Sequence, residues 1–127
     1  MNKDPKNWWK TKRSTSVKRD GNTGSCQYHD TVVVEWTEDR VILDLNGYDT
    51  MTTRVRMNEV SRYENLVYRV FRGKGQTYVQ YVDNGHECGK IVQAAIGGDF
   101  QETVSIPRYK GYVEDCADCA LHKLRSL

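Results

Sequence analysis

The residues best suited to chemistry by type and spacing lie late in the chain. Cys116-Ala-Asp-Cys119 is a CxxC, His122 follows closely, and His86-Glu-Cys88 supplies a second pair of donors. Tetrahedral Zn²⁺ takes four S or N ligands at about 2.0 to 2.3 Å. Cys88, Cys116 and Cys119 with either His86 or His122 would complete a structural zinc site, stapling a C-terminal helix to a loop. Burial competes with this reading. Cys116 falls on the apolar face of the expected helix, where it serves as a small hydrophobe, and Cys119 sits about 60° beyond that face. A redox role fits less well, because a thioredoxin-type CxxC precedes a helix at the end of a strand. Cys26-Gln-Tyr-His29 is a further donor pair.

A second constellation suits nucleic acid. Trp8 and Trp9 stand among Lys6, Lys10, Lys12 and Arg13, and such side chains neutralise phosphates and stack on exposed bases. Arg54 and Arg56 fall in and near the first turn of an expected helix, beside Thr52, Thr53 and Asn58. Positive charge at a helix N-terminus opposes the macrodipole by a few tenths to about 1 kcal/mol, so these arginines are expected to serve a contact surface. The alternative is that a tryptophan packs on the domain while Arg54 and Arg56 pair with Asp44, Asp49 or Glu59. A protein partner is the rival use of the surface: eight tyrosines supply side chains favoured in interface hot spots, although aromatics also suit strands.

Catalysis has little support. Gly73-Lys-Gly75 lies in a hairpin turn rather than between a strand and a helix, and the sequence holds neither a serine nucleophile elbow nor HExxH. Tyr28-His29-Asp30 places neighbours on opposite faces of a strand, so no histidine gains a positioned carboxylate from sequence. The protein is expected not to be an enzyme.

The elements that must position these residues read as an α+β domain. Thr31 to Trp36 and Val41 to Leu45 are runs at hairpin distance; Asn46-Gly47 then turns the chain. A central helix is expected over about Thr53 to Glu64, capped by Thr52 or Thr53. Val67 to Phe71 and Thr77 to Val82 form a second hairpin about Gly73-Lys-Gly75. Lys90 to Ile96 and Thr103 to Ile106 are further candidate strands. From Tyr112 to Leu127, Val113, Cys116, Ala117, Ala120, Leu121, Leu124 and Leu127 share one face at about 100° per residue, which predicts a C-terminal amphipathic helix. The fold class is therefore an antiparallel sheet of two hairpins packed with a central helix, plus that final helix.

Within this fold Gly47-Tyr-Asp-Thr-Met-Thr-Thr-Arg-Val-Arg-Met-Asn58 resembles a motif of small bacteriophage proteins, Gly-[Trp/Tyr]-x-Thr-x-Thr-Thr-[Arg/Lys]-x-Arg-[Leu/Met]-Asn, with Tyr48 where tryptophan is usual. Asn22-Thr23 and Tyr28-His29 upstream, and Val67-Tyr68 and Thr77 to Val82 downstream, are similar in placement. The resemblance spans about Asn22 to Val82. It implies a phage origin and no particular activity.

Length and charge complete the expectations. A chain of 127 residues fits one domain. An apolar share of 38% against 28% charged implies a small core, a wide solvated surface and some disordered chain. Met1 to Asp20 holds seven Lys or Arg against two Asp, a balance of +5, while the remainder holds twelve against fifteen, a balance of −3. Residues 1–24 are thus expected to be a basic, partly disordered arm and 25–127 a single α+β domain. No apolar run approaches the ~18 residues of a membrane span and no signal peptide is apparent, so a cytoplasmic location is expected, in the host cell if phage-encoded. The combined expectation is a non-enzymatic phage accessory protein binding nucleic acid through Trp8, Trp9, Lys10, Lys12, Arg13, Arg54 and Arg56. The alternative is a phage inhibitor of host transcription or defence proteins.

Overall fold

The computed structural model describes residues 5–45, 47, 50–73, 75–81, 93–96 and 103–109. Among them the order of elements is a short 3₁₀ segment η1 (Pro5–Thr11), β1 (Thr15–Asp20), β2 (Thr23–Tyr28), β3 (Thr31–Trp36), β4 (Arg40–Asp44), α1 (Met51–Glu64), β5 (Tyr68–Gly73), β6 (Gln76–Tyr81), β7 (Gln93–Ile96) and β8 (Thr103–Pro107). All strand pairings among the described residues are antiparallel, in two sheets ordered β1-β2-β3-β4-β8 and β5-β6-β7.

Both expected hairpins form. Val34 pairs with Leu43 and Trp36 with Val41; Val70 pairs with Val79 and Phe71 with Tyr78. The fold is mixed and mostly antiparallel, as the alternating patterns imply. The expected C-terminal helix over Tyr112 to Leu127 lies outside the described residues.

Period-2 alternation puts one face of the larger sheet into the core. Val17, Cys26, Val34 and Leu43 are in register across four strands and all are buried. The register between β2 and β3 skips Val33, a bulge that leaves Val33 and Val34 both buried and Val32 exposed. Met57 and Val60 of α1, then Leu66, Tyr68, Val70 and Val79, complete one core, where each fully buried aliphatic side chain contributes about 1.5 to 3 kcal/mol. Gly24 is required by close approach: a β-carbon there would fall inside van der Waals distance of the Trp36 indole.

The N-terminal stretch differs most from expectation. Residues 15–24 form β1 and the start of β2, so the boundary expected at residue 24 falls within a sheet, and Trp8 is buried in the core cluster at 4% exposure. The physical reason is that β1 is an edge strand from which Val17 alone is buried; the other five positions are polar, which removes the alternation that marks a strand. Lys18 and Arg19 on that edge are the kind of charge that discourages edge-to-edge pairing.

The helix also starts earlier than expected. Thr50, with extended backbone (φ −110°, ψ 159°), is the N-cap, and its Oγ1 accepts from the Thr53 N–H at 3.2 Å. At the other end Asn65 takes a left-handed conformation (φ 57°) and its N–H is donated to the Ser61 carbonyl. Val67 is also left-handed (φ 63°), which strains a β-branched residue by about 1 to 3 kcal/mol.

Candidate functional site

Most of the motif residues are explained by how α1 is held. Thr50 caps the helix; Thr53 is buried with its Oγ1 3.0 Å from that of Thr50; Met57 is fully buried. Asn58 donates from Nδ2 to the Val70 carbonyl at 2.8 Å, and its Oδ1 accepts from the Val70 N–H at 2.7 Å. Ser61 repeats the pattern two strand residues earlier, its Oγ donating to the Tyr68 carbonyl at 2.6 Å and accepting from the Tyr68 N–H at 2.9 Å. β5 is an edge strand, and helix side chains here take the place of a neighbouring strand, satisfying alternate backbone groups. The Tyr68 hydroxyl donates back to the Met57 carbonyl at 2.6 Å, and its burial pushes the phenol well above its usual pKa of 10.0.

Arg56 is half-buried and engaged by contacts within the fold, where both motif arginines were expected to be displayed. Its Nε donates to the Thr15 Oγ1 at 3.1 Å, its other end forms an ion pair with Glu59, and the guanidinium lies 5.6 Å from the Tyr28 ring centroid. Glu59 also receives Lys12 at 3.0 Å, and Glu64 pairs with Arg19. α1 thus carries carboxylates that bind the N-terminal stretch to the body, a use invisible to a net-charge count. Arg54, the first-turn arginine, is half-buried.

The other expected arm residues divide in the same way. Trp8 stacks on Tyr63 with centroids 5.2 Å apart and an interplanar angle of 12°. Trp9 is half-buried against the core with Lys10 over its ring at 5.8 Å; Lys10 and Arg13 are exposed. The indole N–H groups of Trp8 and Trp9 find no acceptor among the described residues. The proposed zinc ligands His86, Cys88, Cys116, Cys119 and His122 lie outside the described residues, among which no group of three or more potential metal ligands occurs. Cys26 is buried, and burial pushes its thiol up to about 12, with Arg56 partly opposing the shift.

Around the start of α1 the fold leaves a cleft of about 750 Å³. Leu45 and Val33 contribute its apolar wall; Thr50, Thr52 and Thr53 bring hydroxyls from the helix start; Tyr28, His29, Asp30 and Thr31 come from the β2–β3 turn. A shallower depression continues from His29 and Asp30 along Ser14, Thr15 and Ser16. The turn is pinned because the His29 N–H donates to the Ser14 carbonyl at 2.8 Å, with both residues in left-handed conformation. No acidic residue stands in the first turn of α1, so the helix's positive end is met by the neutral Thr50 hydroxyl rather than by a first-turn carboxylate.

Sequence reasoning missed Ser61 and Tyr68, and it set Asn58 on the contact surface, whereas the Asn58 amide is taken up by the Val70 backbone. A detectable signal existed in Asn58 and Ser61, since polar side chains that compete for backbone groups are disfavoured in helix interiors unless they have a partner. Among the described residues no helix is long and apolar enough to cross a membrane.

Comparison with curated proteins and with solved structures gives no significant match. A family comparison matches residues 2–103, which carry the larger sheet up to the first residue of β8, the helix and the second sheet, to the Kyanoviridae Gp96 protein family. With most of its length covered by that match, the chain belongs to the Kyanoviridae Gp96 protein family, a family of phage proteins.

Proposed function

We propose that the protein is a small non-enzymatic phage accessory protein, acting in the host cytoplasm, that binds nucleic acid with the cleft at the start of α1 as its phosphate-contacting surface. The observation that carries this reading is the hydroxyl-rich helix start, bordered by His29 and Asp30 of the β2–β3 turn, with Arg54 in the first turn of α1 and no carboxylate in that turn. Phosphate oxygens accept from hydroxyls and from free N–H groups at a helix N-terminus, and they are attracted by the helix dipole and by cations. Lys10 and Arg13 are exposed and extend the cationic surface along the N-terminal stretch. Trp8, Lys12 and Arg56 act in this reading as scaffold, through the contacts described above.

Thr52→Asp tests the reading without unfolding the protein. Thr52 is exposed at the second helical position, where a carboxylate favours the helix by about 0.3 to 1 kcal/mol. A charge there opposes a phosphate at ~4 Å by about 1 kcal/mol even in water, so binding of a labelled oligonucleotide should weaken at least ~5-fold while stability is kept or raised. Unchanged affinity would remove the cleft from the account.

A host-protein partner is the second reading, favoured by Met51 and Val55. They are 72% and 45% exposed and lie one turn apart on α1, forming a small apolar patch. Met51→Ser with Val55→Ser should then abolish recovery of one stoichiometric host protein that survives nuclease treatment. Recovery unaffected by the pair would dispose of that patch.

The structural zinc expected from Cys88, Cys116, Cys119 and His86 or His122 stays part of the proposal on its donor set, which is of the kind that closes tetrahedral sites.

A further inference from the structure

We propose that the outward face of the β5–β6 hairpin is a stacking platform for the bases of single-stranded nucleic acid. The proposal rests on the nucleic-acid reading above and adds to it a second contact surface and a preference for unpaired strands.

The hairpin has two faces with opposite content. Tyr68 and Val70 of β5 and Thr77 and Val79 of β6 are buried, all at 3% exposure or less. The alternate positions carry Arg69 and Phe71 on β5, and Tyr78 and Gln80 on β6. Phe71 and Tyr78 are directly opposite in register, as are Arg69 and Gln80. Outward positions of a solvated sheet face are normally polar, yet here two large rings stack on one another, half-buried, with centroids 5.6 Å apart and planes inclined by 29°. The exposed Arg69 places its guanidinium carbon 4.9 Å from the Phe71 centroid.

These groups suit a nucleobase chain. Every base offers a π-face to an aromatic ring, and an arginine over the ring adds a cation beside the path of the phosphates. Gln80 brings an amide donor and acceptor to the same hairpin. Among the described residues this face holds no carboxylate, so a polyanion meets no like charge on it. Paired bases keep their π-faces inside the duplex, which leaves the rings nothing to stack on. The face therefore selects single strands.

The test compares the full chain with Phe71→Leu/Tyr78→Leu, Phe71→Trp/Tyr78→Trp and Arg69→Gln, using a labelled thymidine dodecamer and a duplex of equal length at low salt. The leucine pair keeps apolar volume and strand propensity, and thermal melts establish that each variant is folded. Loss of two stacked bases should weaken dodecamer binding by at least ~30-fold. The tryptophan pair should retain it, Arg69→Gln should weaken it several-fold, and duplex binding should change less than ~2-fold in the leucine pair. Equal weakening of both ligands, or dodecamer binding unchanged in the leucine pair, overturns the platform and leaves the cleft standing. Absence of any binding by the unaltered chain overturns both.

Discussion

Replacing Trp8 by alanine should destabilise the whole domain. Trp8 is 4% exposed, stacks on Tyr63 and belongs to the same buried cluster as Val17 and Met57. Truncating a buried tryptophan costs about 3 to 5 kcal/mol, including its ring contacts. One term works in the opposite direction: the Trp8 indole N–H is buried without an acceptor among the described residues, and removing such a group returns about 1 kcal/mol or more. The net expectation is a loss of about 2 to 4 kcal/mol, a large share of the 5 to 15 kcal/mol that a domain of this size has. Trp8→Phe separates the two terms, because it keeps a ring against Tyr63 and deletes the orphaned donor, so it should cost less than about 1 kcal/mol. Urea unfolding at equal m-value measures both; with m of about 1.5 kcal/mol/M, the alanine variant should lose roughly 1.3 to 2.7 M in midpoint. An alanine variant within about 0.5 kcal/mol of the parent would refute the packing of η1 on the body and restore a free basic arm.

Other consequences follow from single contacts. Asn58→Ala leaves the Val70 N–H and carbonyl without their side-chain partner and should cost about 1 to 3 kcal/mol in the same unfolding assay. Asn58→Asp should rescue at most the one bond accepted from the N–H. Stability should fall as pH rises above about 9: Cys26 goes from 9.0 to about 12 on folding and Tyr68 is raised well above 10.0, so both are held neutral in the native state while the unfolded chain ionises. Their contribution is complete below the unfolded pKa values and is lost at up to about 1.4 kcal/mol per pH unit for each ionised group, measured as urea midpoint against pH. With Cys88, Cys116 and Cys119 replaced by serine, Cys26 should react with a thiol reagent at pH 8 only on unfolding; prompt reaction in the native protein contradicts its burial. Purified protein should carry near one equivalent of zinc that is lost in Cys116→Ser. Less than ~0.3 equivalents, unchanged by that substitution, disposes of the metal site.

How much was legible in the sequence depended on whether a segment declared its own burial. Thr31 to Trp36 with Val41 to Leu45, and Val67 to Phe71 with Thr77 to Val82, carry β-branched or alternating patterns that only paired strands satisfy, and Thr103 to Ile106 read as the strand that becomes β8. β1 was illegible because an edge strand with one inward residue has no period. The cap was ambiguous because Thr50, Thr52 and Thr53 are chemically equivalent donors of a capping oxygen, and only backbone geometry distinguishes Thr50. The fate of Arg56 was only half legible: Glu59, three residues on in the same helix, was a foreseeable partner, but Thr15 lies 41 residues away from Arg56 in sequence and Lys12, which shares that carboxylate, comes from the distant N-terminal stretch. The Phe71 and Tyr78 pair was readable as strand residues, but their side-by-side register on the solvated face needed the turn geometry to be known.

The central claim is that the folded body, rather than a loose basic arm, contacts a nucleic-acid backbone. The most direct test is the salt dependence of binding to a labelled single-stranded oligonucleotide between 50 and 200 mM salt. Contact with three or more phosphates predicts a log–log slope of about −2 or steeper, and Thr52→Asp should make it shallower. Binding that is absent at low salt, or whose slope is flat and indifferent to Thr52→Asp, would contradict the account.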